Sequence, residues 1–237
     1  MATHKNKKYL ESRKLVEDRS YAPQEAVELI KKASFTKFDE TVELHLRTGM
    51  DPKNAAQQIR GVTLLPHGLG KVVRILVFSQ GEGAKIALDA GADYVGGDDI
   101  AKKIEEGWLE FDIAIATPDI MGRVGRLGKI LGRRGLMPNP KTGTVANASD
   151  LPRIIEEARK GRVEYKLDKG GVIHLPLGKV SFSPDKLMEN LSTIVETIVK
   201  AKPSGAKGQY IKSAYLTTTM GPSVELDLKT TLSLTAT

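Results

Sequence analysis

Near the C-terminal end of the chain, Thr217, Thr218, Thr219, Met220, Gly221 and Pro222 follow one another without interruption. Three hydroxyls, an adaptable thioether and a bare glycine backbone are groups that contact ribose and phosphate. Residues 210–216 before them are rich in strand formers, and residues 223–228 after them alternate polar and apolar. Gly221-Pro222 is a turn signal, so the stretch reads as the tip of a hairpin. The same threonines also read as plain strand formers.

Residues 121–141 form a second stretch of interest. It holds six basic side chains (Arg123, Arg126, Lys129, Arg133, Arg134, Lys141), five glycines and no acid. Glycine lets backbone approach a phosphate, and arginine pairs with it. The alternative is an irregular exposed loop whose Val124, Leu127, Ile130 and Leu131 pack beneath it.

Other chemistries fail on spacing. His67-Gly68-Leu69-Gly70-Lys71 resembles a phosphate loop, but Leu65 stands where the first glycine is required and Val72 where Ser or Thr is required. Gly128-Lys129 fails likewise, with Arg123 and Ile130 at those places. Gly81-Glu82-Gly83 follows a buried strand, but Ile86 occupies the third glycine position of a dinucleotide fingerprint. His4, His45, His67 and His174 show no metal-ligand spacing, and no G-x-S-x-G elbow occurs. His174 reads as a packed or hydrogen-bonded strand residue. Asp98-Asp99 and Glu156-Glu157 read as solvated carboxylates, and Trp108 as core. No cofactor or metal is expected, and the chain reads as a non-enzyme.

The elements that must position the two stretches come from periodicity. Of 237 residues, 40% are hydrophobic and 27% charged, which suits one large or two small globular domains. There is no cysteine, which excludes disulfides and thiolate chemistry and is compatible with a reducing cytosol. The basic, polar residues 1–14 are not a signal peptide, and no apolar run matches a membrane span. Residues 1–20, with Lys5, Lys7, Lys8, Arg13, Lys14 and Arg19, read as a basic arm. Pro23 opens a helix with Ala26, Leu29 and Ile30 on one face. Residues 41–48 alternate, with Val42, Leu44 and Leu46 on one face and Glu43, His45 and Arg47 on the other, a half-buried strand. Asp51-Pro52 starts a short helix reaching Ile59, and 62–65 is a second strand. Between 68 and 160 the texture changes. Apolar runs at 72–78 and 111–117 alternate with helices at 81–90, 98–106 and 150–160, which implies parallel βαβ units. Past Gly161 the alternation returns: strands at 162–167 and 172–177 flank a hairpin turn at Asp168-Lys169-Gly170-Gly171. Ser183-Pro184 caps a helix carrying Leu187, Leu191, Ile194, Val195 and Ile198. The predicted fold class is therefore α/β (α+β) in two domains. Residues 1–67 plus 161–237 form a discontinuous split α+β sandwich around an inserted Rossmann-like βαβ domain at 68–160, with two linker crossings as a hinge. The chain's net charge is +7, and residues 68–160 carry 14 basic against 13 acidic side chains. The positive excess thus lies on the discontinuous domain, which is the first suspect for an anionic partner, nucleic acid before membrane.

Five segments in order resemble one family. They are residues 37–43 (Lys37-Phe38-Asp39-Glu40-Thr41-Val42-Glu43), 65–71, 91–97, 121–140 and 217–222. The chain resembles, from end to end, the L-one family of bacterial large-subunit ribosomal proteins. The resemblance implies a two-domain protein with a hinge that binds large-subunit rRNA and forms the mobile stalk beside the tRNA exit site. It implies a part in release of exit-site tRNA and repression of its own operon through its mRNA. Localisation would be the cytoplasmic ribosome, with the protein monomeric off it. By motif match, the rRNA contacts would be Lys37, Phe38, Thr41, Thr217, Thr219, Met220 and Gly221, with Ser213 and Lys169 added by neighbourhood. Arg123, Arg126, Lys129, Arg133 and Arg134 would form a second RNA contact. Phe38 would stack on a base or sugar, or alternatively pack at the strand entry. The tail 229–237 carries no assigned role. The competing readings are a βαβ small-molecule binder or enzyme, against which the missing phosphate fingerprint argues, and a purely structural scaffold.

Overall fold

The computed structural model describes residues 7–203, 205–206 and 208–234. His4 and Lys5 of the basic arm, Lys207 and the last three residues of the tail lie outside these. In chain order the elements are α1 (Lys7–Arg13), α2 (Pro23–Ala33), β1 (Thr41–Thr48), β2 (Arg60–Leu64), β3 (Ile75–Phe78), α3 (Glu82–Asp89), β4 (Tyr94–Gly96), α4 (Asp98–Glu105), β5 (Ile113–Ala116), α5 (Met121–Val124), α6 (Gly128–Arg134), α7 (Leu151–Lys160), β6 (Arg162–Lys166), β7 (Val172–Lys179), α8 (Pro184–Lys200), β8 (Ile211–Thr218), β9 (Val224–Glu225) and α9 (Leu228–Leu232). The protein is a mixed α/β structure. It divides into two compact units, Met1–Gly70 with Val163–Thr237, and Lys71–Arg162.

The first unit is built on an antiparallel sheet of order β7-β1-β8-β9. Strict alternation sends Val42, Leu44 and Leu46 of β1, Ile173, Leu175 and Leu177 of β7, and Ala214 and Leu216 of β8 into one core. The apolar faces of α2 and α8 cover that core with Val27, Ile30, Leu187, Leu191, Ile194 and Ile198. Ser183 caps α8 by accepting from the Lys186 N–H at 3.4 Å, as the Ser-Pro pair predicts. A second sheet of two strands, β2 and β6, adds Val163 and Tyr165 to the same core. The other face of the large sheet is open.

In the second unit, β4-β3-β5 form a parallel sheet. Leu76 and Phe78 of β3 face one apolar cluster with Ile100, Ile104, Leu127 and Leu131. Ile75 and Val77 face another with Ala87, Leu151 and Ile155. The strand is buried on both sides, so its sequence is continuously apolar.

Three local expectations are corrected. The helix expected from Asp51 to Ile59 is only a single 3₁₀ turn, Ala55–Gln57. Asp51 and Asn54 accept from the N–H groups of Lys53 and Ala56, which diverts backbone donors from a helix. The strands around Asp168 make no regular hairpin: β6 joins β2, β7 joins β1, and one bridge, Leu167 with Ile173, links them. The strand expected from residue 72 starts at Ile75, because Asp112 gathers Lys71 and Arg74. Val72 is left 83% exposed.

Candidate nucleic-acid interface

The tip and the 36–41 loop are knitted together at one end of the large sheet. β8 and β9 form the predicted hairpin, with Tyr215 opposite Glu225 and Leu216 opposite Val224. Residues 217–223 are its tip. The Thr219 N–H donates to the Thr41 carbonyl at 3.1 Å, and the Thr41 N–H donates to Thr219 Oγ1 at 3.0 Å. Thr41 Oγ1 accepts from Lys179 Nζ at 2.9 Å, and Thr217 Oγ1 donates to the Thr218 carbonyl at 3.0 Å. The threonine hydroxyls thus fasten the tip internally before any ligand arrives.

Glu40 is the hidden centre of this end. It is fully buried, accepts from the Met220 N–H at 3.2 Å through Oε2, and from Ser34 Oγ at 3.0 Å through Oε1. Burial pushes its carboxyl up. The surrounding donors outweigh burial and hold it below the usual carboxylate value. The Thr218 hydroxyl contributes electrostatically but lies outside hydrogen-bond geometry with any described group. No spacing rule singled out Glu40; its only sequence signal is a carboxylate directly before an alternating strand.

This end presents two large apolar side chains outward. Phe38 is 56% and Met220 53% exposed, so Phe38 is not core packing. Lys37 and Thr219 lie beside them, and Gly221 is half-buried. A Cβ on Gly221 would sit 2.3 Å from Thr218 Oγ1, so the tip needs a glycine there for close packing. Ser213 lies on the open sheet face, in register with Arg47, and exposed Lys169 lies in the turn before β7. The two are on the same unit as the tip, although separate from its hydrogen-bonded knot.

On the second unit, residues 121–134 are helical rather than an irregular loop: α5, a 3₁₀ turn at Gly125–Leu127, then α6. Val124, Leu127 and Leu131 are buried, Ile130 packs half-buried against the same cluster, and Gly122, Arg123, Gly125, Arg126, Lys129 and Gly132 are exposed. Cβ atoms added at Gly122, Gly125, Gly128 or Gly132 would meet nothing within 4 Å. Arg126, Lys129, Arg133 and Arg134 are exposed, whereas Arg123 is engaged by Asp98 at 2.6 Å. Arg123 and Arg126, with Asp98, Lys102 and Glu105, line a shallow cleft of about 450 Å³.

The sequence features read against enzymatic chemistry have structural partners. His67 pairs with Glu189, and buried Asn190 ties the adjacent chain down through Gly68 and Leu177 carbonyls at 3.1 and 2.8 Å. Trp108 packs edge-on against Tyr94 with centroids 4.8 Å apart. Among the described residues no group of three or more potential metal ligands gathers. No helix among them is long and apolar enough to cross a membrane.

Fold and site together define a mixed α/β protein of two compact units, with two large apolar side chains, Phe38 and Met220, exposed at one end of the large sheet. Residues 30–222 match the Ribosomal protein L1p/L10e family, and the chain belongs to it. It is similar to proteins called Large ribosomal subunit protein uL1: 63% identical over 230 residues in two strains of Dehalococcoides mccartyi, covering 97% of each chain, and 57% identical over 224 residues in Chloroflexus aggregans, covering 94% of each. The family is one of structural proteins of the large ribosomal subunit, not of enzymes, and in bacteria that particle is cytoplasmic.

Proposed function

We propose that this chain binds large-subunit rRNA directly through Lys37, Phe38, Thr41, Thr217, Thr219, Met220 and Gly221, with Ser213 and Lys169 at the edge of the same face. The observation that carries the reading is the pre-assembled tip. The hydroxyls of Thr41, Thr217 and Thr219 and the Glu40 carboxylate are engaged in internal bonds, yet Phe38 and Met220 are held out to solvent, which costs hydrophobic exposure unless a partner covers them. Structured RNA offers unstacked bases, ribose edges and phosphates that suit an aromatic ring, a thioether and lysine. In this reading Phe38, Met220 and the Gly221 backbone meet the RNA together with Thr41, Thr217 and Thr219, whose internal bonds also hold the surface in shape.

The protein forms the mobile stalk of the ribosome near the tRNA exit site and takes part in release of exit-site tRNA. It represses its own operon by binding a similar fold in its mRNA, and is monomeric off the ribosome. The two units act as domains joined by a hinge at the two chain crossings. The exposed Arg126, Lys129, Arg133 and Arg134 on a bare glycine face form the second RNA contact, with Arg123 reaching it only by leaving Asp98.

Filter binding with a stalk rRNA transcript, competitor tRNA and nucleotide tests the reading. Phe38→Ala and Met220→Ala are expected to weaken rRNA binding about tenfold each with the salt slope unchanged. Lys37→Ala is expected to lower that slope by about one. Nucleotide binding without RNA binding would overturn the assignment.

A further inference from the structure

Below the tip, the open face of the large sheet carries a pair of histidines that the tip reading leaves unused. His45 on β1 lies directly opposite His174 on β7 and opposite Tyr215 on β8. The preceding pair on the same face is Glu43 with Thr217, so the histidines sit about 7 Å from the base of the tip. The following pair is Arg47 with Ser213. The row is thus bracketed by residues of the proposed RNA surface.

The two imidazoles meet Nδ1 to Nδ1 at 2.8 Å, edge to face. Two Nδ1 atoms so close must share one proton, one donating and the other accepting. Asp168 sets which. Its carboxylate lies 3.4 Å from His174 Nε2 and accepts only, so His174 Nε2 bears the proton and His174 Nδ1 accepts from His45 Nδ1. His45 Nε2 is then a bare acceptor, 3.6 Å from the Glu43 carboxylate, which is also an acceptor. The chain from Asp168 to Glu43 is therefore one proton short of full pairing. A proton on His45 Nε2 would complete it, giving an imidazolium between two carboxylates. The other groups facing the pair are Arg47 on β1, Tyr215 on β8 and Glu225 on β9.

We propose that the His45–His174 pair is a proton-linked subsite of the RNA-binding face: on binding RNA it takes one proton from solvent onto His45 Nε2, and the imidazolium faces an RNA phosphate. This rests on the RNA reading of the tip. In the free protein, burial holds His45 below its usual value, and His174 adds to that, against an opposing pull from Glu43. RNA phosphates supply the further negative potential needed to protonate it. The sign follows: His45 is raised in the complex, so the gain in affinity is complete below its free-protein value and is lost as pH rises through its value in the complex. At full uptake the affinity changes about tenfold per pH unit.

Calorimetric titration of the full chain with a stalk rRNA transcript, at about pH 6.5 in buffers of differing ionisation enthalpy, reads this directly. Wild type is expected to take up about half to one proton per RNA bound. His45→Gln should bind RNA with most of that uptake gone, as should His174→Asn, which tests the same pair should the first variant misfold. Thr219→Val should weaken binding and leave the uptake intact. RNA binding with heats independent of buffer, or uptake undiminished in both histidine variants, overturns the subsite while leaving the tip reading in place. Absence of RNA binding by the wild type overturns both.

Discussion

Glu40 shows how a single side chain shapes the hairpin tip. A buried carboxylate is costly unless its oxygens are paired, and here Oε1 and Oε2 each receive a donor. Because its folded value is depressed, it stabilises the tip above the ordinary glutamate value of 4.5, and that contribution is lost as pH falls through the lower folded value. Glu40→Gln is expected to cost about 1–3 kcal/mol in urea denaturation and to remove this acid-range dependence of stability. Gly221 acts sterically. An added methyl carbon would lie 2.3 Å from Thr218 Oγ1, so Gly221→Ala must displace a packed hydroxyl beside Glu40. We expect a loss of about 1–3 kcal/mol, together with a change in the Met220 amide NMR resonance, since that amide reports the bond to Glu40.

At the scale of elements, the helical basic segment is built against its own propensity. Gly132 lies inside α6 and is exposed, where glycine costs about 1 kcal/mol relative to alanine. No neighbour within 4 Å requires its bareness. Gly132→Ala is therefore expected to raise the stability of this unit by about 0.5–1 kcal/mol in thermal denaturation. If the bare face admits RNA backbone, the same change weakens the second RNA contact, a combination that a merely tolerated glycine would not give. This segment also marks where sequence reading runs out. β1 and α8 were legible because alternation in Val42, Leu44 and Leu46, and helical spacing in Leu187, Leu191 and Ile194, mirror a single buried face. Residues 121–134 mask their helix with glycines, and only the buried set Val124, Leu127 and Leu131 betrays it. The parting of β6 from β7 was illegible because each strand's alternation is satisfied equally by a hairpin partner or by a distant one. Within the site, Met220 read from its residue type as an adaptable apolar surface, whereas Lys37 and Phe38 entered only through the family resemblance and Phe38 stood open between stacking and packing until its exposure was seen. The internal use of the threonine hydroxyls was not legible, since it depends on Thr41 meeting Thr219 across 178 positions of chain.

For the whole molecule, the partition of the core has a thermodynamic consequence. The apolar side chains beneath the large sheet form one cluster, and those on the two faces of the parallel sheet form two others, each drawn from within one unit: the first from the unit of the large sheet, the other two from the unit of the parallel sheet. A unit that holds its own core is stabilised by burial independent of its neighbour, so each should unfold cooperatively on its own account. Leu191 and Leu131 are both fully buried, one under each kind of sheet. Truncating either to alanine removes about 2–5 kcal/mol from the core that contains it. Scanning calorimetry of the free protein is therefore expected to resolve two transitions. Leu191→Ala should lower one by about 10 °C and leave the other in place, and Leu131→Ala should do the reverse. A single transition moved equally by both substitutions would mean that the units share their stability, and a hinge between independently stable domains would then have no physical basis. Saturating stalk rRNA sharpens the comparison. By mass action it should raise the transition sensitive to Leu191→Ala, because the tip and the histidine pair belong to that unit. The other transition should move only to the extent that Arg126, Lys129, Arg133 and Arg134 engage the same RNA, which a fourfold alanine variant at those positions isolates.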